Sequence, residues 1–262
     1  MSFSILVQEG LAPGTSLEEQ WEFIAAAGLH GIELHGRDQE LAERLPELRR
    51  AQAAGVPMPT VCLITEEFIA DFDPDVRRRA IANMKTLLSV IGELGGVGAV
   101  TPAAFGRFSK ALPPFQSPRS VEDDRAVMLE ALSELAEHAA QEDVLVLHEP
   151  LNRYEDHVLN KLHQAVSLIE ELGTDRVKVM ADTFHMNIEE NDMAGSLREV
   201  APYLGHLHLA DSHRSHPGSG HTDFGAIADV LREIGYDGHL AMECGLRGDK
   251  RAALEQTAAL FA

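Results

Sequence analysis

Short apolar runs alternate eight times with longer stretches of helical periodicity along this chain, and that rhythm restricts the fold more than any other feature. The strand candidates are Phe3 to Gln8, Gly31 to His35, Met58 to Leu63, Val97 to Thr101, Val144 to Glu149, Val177 to Ala181, Leu204 to Leu209 and His239 to Glu243. Each is followed by a helical segment. Some helix starts are written locally: Ser16-Leu17-Glu18-Glu19 reads as a capping box, and Asp73-Pro74 pairs an N-cap acceptor with proline at the first helical position. In the helix after Ser120, Met128, Leu132, Leu135 and Ala139 recur at helical spacing, so that stripe faces inward and Glu130, Glu134 and Glu137 face out.

Eight strand-helix units can form an open doubly wound sheet or a closed barrel. No Gly-x-Gly-x-x-Gly follows the first strand, so a dinucleotide site has no support. The 262 residues match the usual length of one closed α/β barrel, and no linker or low-complexity tract divides them. The expectation is a single (β/α)8 TIM-barrel domain over residues 1–262, with function at the C-terminal strand ends.

Composition narrows the function. Lys and Arg number 22 against 42 Asp and Glu, a net charge of −20 that repels a polyphosphate backbone and argues against nucleic-acid binding. A small neutral ligand suits this surface better. Cys62 and Cys244 form no Cys-x-x-Cys pair and read as reduced. The N-terminus lacks a basic start with a long apolar segment, and no run approaches the roughly 20 apolar residues that span a bilayer, so a cytoplasmic protein is expected.

From the fifth strand onward each strand ends in a potential ligand: Glu149, Asp182, His208 and Glu243. Neighbouring barrel strands lie about 4.8 Å apart, so inward side chains at their tops can converge on one cation. Three carboxylates and an imidazole at one depth repel one another unless a cation joins them. The oxygen-rich set favours Mn2+ first, with Mg2+ or Co2+ next and Zn2+ behind them. His206 sits one layer below His208, and His148 alternates away from Glu149, so both read as structural. His213, His216 and His221 fall in a Gly/Pro/Ser-rich loop, where a solvated role is the default over a second metal site. Glu33 and His35 share a strand face that pocket contact and a polar layer inside the barrel explain equally well. Asn152-Arg153-Tyr154-Glu155 and Thr183-Phe184-His185-Met186-Asn187 follow two of the ligands and are expected over the barrel mouth. Residues 102–119, with three phenylalanines and four prolines, read as a lid, a subunit contact or a structured loop on the barrel rim.

These residues carry a resemblance. Glu149-Pro150-Leu151-Asn152-Arg153-Tyr154-Glu155, Asp182-Thr183-Phe184-His185-Met186-Asn187, His208-Leu209-Ala210-Asp211-Ser212-His213-Arg214 and Glu243 resemble the successive signatures of the xylose-isomerase-like TIM barrels. Within them the chain is most similar to the ketose 3-epimerase and hydroxypyruvate isomerase group. The resemblance implies one divalent metal on Glu149, Asp182, His208 and Glu243, with Glu149 and Glu243 also the acid/base pair. It implies substrate contacts from Glu155, His185 and Arg214, and a homodimer or homotetramer. His213 departs from the family, where asparagine commonly precedes the arginine.

A proton beside a carbonyl is too weakly acidic for an unaided carboxylate, so a cation that polarises the carbonyl must help. Two carboxylates on opposite faces of a substrate then invert the carbon, whereas one carrying a proton between adjacent carbons interconverts aldose and ketose. The leading expectation is C3 epimerisation of a free ketose. Aldose-ketose or hydroxypyruvate isomerisation is a neighbouring possibility, and dehydration of an inosose or dehydroshikimate type substrate is the runner-up. A DNA hydrolase is disfavoured by the charge, and a non-catalytic sugar-binding module has no use for two facing carboxylates.

Overall fold

The computed structural model describes residues 3–106 and 117–262. Eight strands, β1 (Ser4–Gln8), β2 (Gly31–Gly36), β3 (Thr60–Leu63), β4 (Gly98–Pro102), β5 (Leu145–Glu149), β6 (Val177–Asp182), β7 (Leu204–Leu209) and β8 (His239–Met242), pair in parallel and in sequence order, and β8 closes on β1. The alternation of apolar runs and helices has thus folded as a (β/α)8 barrel. Around it lie α1 (Leu17–Ala26), α2 (Asp38–Glu43), α3 (Leu45–Ala53), α4 (Pro74–Glu93), α5 (Val121–Glu142), α6 (Leu162–Leu172), α7 (Thr183–Glu189), α8 (Met193–Glu199), α9 (Phe224–Glu233) and α10 (Lys250–Leu260).

The local signals act as expected, with small displacements. Ser16 Oγ accepts from the Glu19 N–H at 3.2 Å, while the Glu19 carboxylate reaches back to the N–H of Thr15 at 2.7 Å. Asp73 caps α4 through the N–H of Asp75, with Pro74 at the first helical position. On α5, Met128, Leu132, Leu135 and Ala139 are buried and Glu130, Glu134 and Glu137 exposed. β3 starts at Thr60, two residues later than the apolar run suggests, because Pro59 has no N–H to give the ladder. The segment after β2 is two helices, and Pro46 sits in the first turn of the second.

The core lies mainly between barrel and helices. Within the lumen, Cys62, Val100, Leu147 and Met180 make a separate small apolar cluster. At Gly98 a Cβ would come 2.4 Å from the Leu145 carbonyl oxygen, so glycine there permits the close approach of β4 and β5. Among the described residues no helix is long and apolar enough to cross a membrane. Of the 102–119 segment, Arg107, Phe108, Lys110, Pro113, Pro114 and Phe115 lie outside the described residues.

Candidate metal centre

Each cage side chain is delivered by the end of its strand. Glu149 closes β5, and Pro150 behind it cannot continue the ladder. Asp182 closes β6 and also caps α7: its Oδ1 accepts from Phe184 N at 2.7 Å and His185 N at 3.4 Å, leaving Oδ2 for the site. His208 is the last inward residue of β7, and Glu243 stands one residue past β8. One ligand atom from each of these four lies within 4.8 Å of the other three.

The arrangement fits a divalent cation. Glu149 Oε1 is buried with no hydrogen-bond partner, an expensive state for a carboxylate oxygen. Burial first, then the charges of Glu243 and Asp182, push the Glu149 carboxyl well above its usual range, although His208 and Arg214 oppose them. Burial also raises Glu243, but Arg214 and His208 outweigh it and hold that carboxyl far down. Positive charge is therefore what this cluster needs, and the guanidinium of Arg214 supplies part of it. Its Nη1 donates to Asp182 Oδ2 at 2.5 Å, and its Nη2 donates to Glu243 Oε2. Arg214 holds a left-handed backbone, φ 58°, pinned by its N–H on Asp211 O and by the Gly245 N–H on its own carbonyl. The ring of Phe184 lies 5.0 Å below its guanidinium carbon.

His208 is held from both sides. Nδ1 stands 2.8 Å from Glu243 Oε2 and 3.9 Å from Asp182 Oδ2, while Nε2 stands 2.7 Å from Glu33 Oε1. Burial lowers its proton affinity, but the two glutamates outweigh this and raise it well above the ordinary imidazole value. A second cluster, Glu33, Cys62 and His208, is also close enough to share an ion. Glu33 there already accepts from Gln8, Thr60, His206 and His208, which leaves it no spare capacity.

Over the cage opens a cavity of about 410 Å³. Its polar side is Glu149, Glu155, His185, Arg214 and Glu243, and its apolar side includes Leu63, Ile64, Phe68, Phe105 and Phe184. The backbone N–H and the side-chain amide of Asn152 both point at His185 Nδ1, at 3.1 and 2.8 Å. Both groups only donate, so Nδ1 accepts and the proton sits on Nε2, 3.7 Å from Glu149 Oε1. Burial lowers this imidazole to about 4, which makes it a neutral N–H donor at the edge of the cage.

Of the seven residues singled out from the sequence, Glu149, Glu155, His185, Arg214 and Glu243 line this cavity, and Asp182 and His208 lie beneath it in the cluster with Glu149 and Glu243. Their neighbours reach it less completely. Arg153 turns away to Glu189, with its side chain at 2.8 and 2.9 Å, and Tyr154 is exposed, so of Asn152 to Glu155 only Glu155 lines the cavity and Asn152 acts through His185. His216, expected in solvent, is buried and accepts the N–H of Arg247, whereas His213 and His221 are exposed. Among the described residues, none of the three joins a potential metal cluster. His148 bonds the Thr101 carbonyl oxygen, and His206 lies under His208 on Glu33. His35 lines a separate cavity with Glu9 and Arg44. Sequence reading missed the apolar wall at and after the end of β3, Leu63, Ile64 and Phe68, because these side chains carry no titratable signature.

A closed parallel barrel with convergent acid and imidazole ligands at its C-terminal end defines a TIM-barrel enzyme. The model of the xylose isomerase-like TIM barrel family matches residues 21–262. The chain belongs to that family, in its sugar isomerase and epimerase branch. It is 37% identical over 235 residues to a 3-dehydro-D-guloside 4-epimerase of Escherichia coli (strain K12), covering 89% of each chain. It is 38% identical over 182 residues to a D-psicose 3-epimerase of Enterocloster bolteae, covering 68% of this chain and 58% of that one. The crystal structure of a 3-keto-D-glucoside 4-epimerase from E. coli superimposes with a TM-score of 0.92 at 35% identity, covering 99% of this chain and 98% of that one.

Proposed function

We propose that this enzyme inverts the carbon next to a sugar ketone, with one divalent ion held by Glu149, Asp182, His208 and Glu243. Four ligand atoms within 4.8 Å of one another, beneath a cavity able to hold a sugar, carry this reading. The oxygen-rich donors favour Mn2+. A cation there supplies the charge that polarises the ketone and stabilises the enediolate.

The chain's own groups do the rest. Glu149 and Glu243 reach the cavity from strands three apart, so in this reading one takes the C–H proton and the other returns a proton from the opposite face. His185 donates its Nε2–H, and Arg214 and Glu155 bind the remaining oxygens. The apolar wall excludes water from the reacting face and receives the non-reacting part of the substrate. A glycoside with a ketone at C3, inverted at C4, is the substrate we favour, because the full-length similarity to a 3-dehydro-D-guloside 4-epimerase supports it and the apolar wall suits an aglycone. C3 epimerisation of a free ketose is the second reading, supported by the likeness to a D-psicose 3-epimerase. A homo-oligomer belongs to the proposal on family grounds, and light scattering at the 28.6 kDa monomer mass would remove it.

The deciding experiment follows 3-keto glycosides and free ketoses by NMR in D2O. EDTA should abolish turnover and Mn2+ restore it, with one deuterium at the inverted carbon; Glu149→Gln and Glu243→Gln should each lower kcat by about 10²–10⁴-fold. An enone product would replace epimerisation by dehydration, and metal-independent turnover would remove the cage.

A further inference from the structure

Beneath the cage the lumen has two unlike halves. Cys62, Val100, Leu147 and Met180 fill one with apolar side chains, the usual content of such a barrel. The other half is built around Glu33, a fully buried carboxylate on β2. β2 and β7 are not neighbours in the closed sheet, so the bonds from Glu33 to His206 and His208 cross the lumen. Oε1 accepts from His208 Nε2 at 2.7 Å and Gln8 Nε2 at 3.2 Å; Oε2 accepts from His206 Nε2 and Thr60 Oγ1, both at 2.8 Å. Four donors from three other strands of the barrel, β1, β3 and β7, leave this carboxylate no second orientation.

We propose that Glu33 is a positioning residue that holds His208 Nε2–H across the lumen and so aims the Nδ1 lone pair at the cation site. The inference rests on the reading of His208 as a metal ligand. An imidazole that ligates through one nitrogen keeps its proton on the other, and a buried N–H requires an acceptor. Nδ1 is the nitrogen beside Glu243 and Asp182, and Nε2 is the one on Glu33. Gln8, Thr60 and His206 act one step further out by fixing Glu33 itself. An amide in place of the carboxylate would turn an NH2 group toward one of the two donor pairs. One imidazole would then lose its acceptor or move its proton.

Mn2+ affinity tests this without reference to turnover. Titration followed by the electron paramagnetic resonance of free Mn2+ should show Glu33→Gln binding about 10–100-fold more weakly than wild type, with Glu33→Asp recovering part of the loss. Unchanged affinity in a folded variant with a lowered melting temperature would overturn the proposal, because Glu33 would then serve stability alone. If neither variant folds, the wild type decides: in Mg2+-loaded, 15N-histidine-labelled protein, His208 should carry its proton on Nε2. A proton on Nδ1 with a bare Nε2 would overturn it. Failure of wild type to bind Mn2+ at all removes the cage reading itself, and the first titration shows this before any variant is made.

Discussion

Asp211 touches no cage oxygen, yet four backbone N–H groups converge on its carboxylate, from Ser212, Gly218, Gly220 and Thr222, at 2.7 to 3.1 Å. It thereby shapes the loop that carries Arg214. Burial alone would raise this carboxyl, but those donors outweigh it and bring it to about 2. A carboxyl whose folded pKa lies below its unfolded value of about 3.9 adds stability above pH 4 and loses it as the pH falls toward 2. Asp211→Asn should cost about 1–2 kcal/mol at neutral pH, and the gap from wild type should close between about pH 4 and pH 2 in urea unfolding. A constant gap across that range would assign the effect to shape instead. Asp211 stood inside a recognised signature, but nothing in a linear reading separated its structural task from the chemistry of its neighbours. Glu33 was harder still. Its partners Gln8, Thr60, His206 and His208 sit on three other strands, and no spacing along the chain joins them.

At the scale of elements the eight strands were readable because each is a short apolar run that a barrel buries on both faces. Their ends named the cage for the same reason, since the polar residue closing a run is the one left at the mouth. Close approach between backbones was not readable, because it depends on the register of strands distant in sequence. Gly98 is the instance. A Cβ there would meet Leu145 O at 2.4 Å and Leu145 C at 3.1 Å, and backbone atoms cannot rotate aside. Gly98→Ala should therefore prise β4 from β5 and destabilise the protein by about 1–3 kcal/mol, measured as a lowered urea midpoint with an unchanged slope. An unchanged midpoint would mean that the ladder yields there at no cost.

For the whole molecule, the proposed cation binding would be linked to folding. The cage gathers Glu149, Asp182, His208 and Glu243 from four strands, and an unfolded chain cannot keep them together. Mn2+ at 100 times its Kd should add about 2.7 kcal/mol and raise Tm by roughly 5–10 °C. Glu243→Gln should show less of this rise, and an equal rise in that variant would place the ion elsewhere. The overall charge of −20 argued against a nucleic-acid partner in the sequence reading, but it says nothing of which sugar is taken, because selectivity resides in cavity walls that composition averages away.

Those walls have their own ancestry in the chain. The acid and imidazole groups of the cage lie between residues 149 and 243, whereas Cys62 to Thr65, Phe68, Pro102 and Phe105 supply much of the opposing surface. In the proposed reading, reaction and taste are thus inherited from different stretches of the gene. A lineage can exchange the segments after β3 and β4 for others and acquire a new diet while its proton chemistry passes on unaltered.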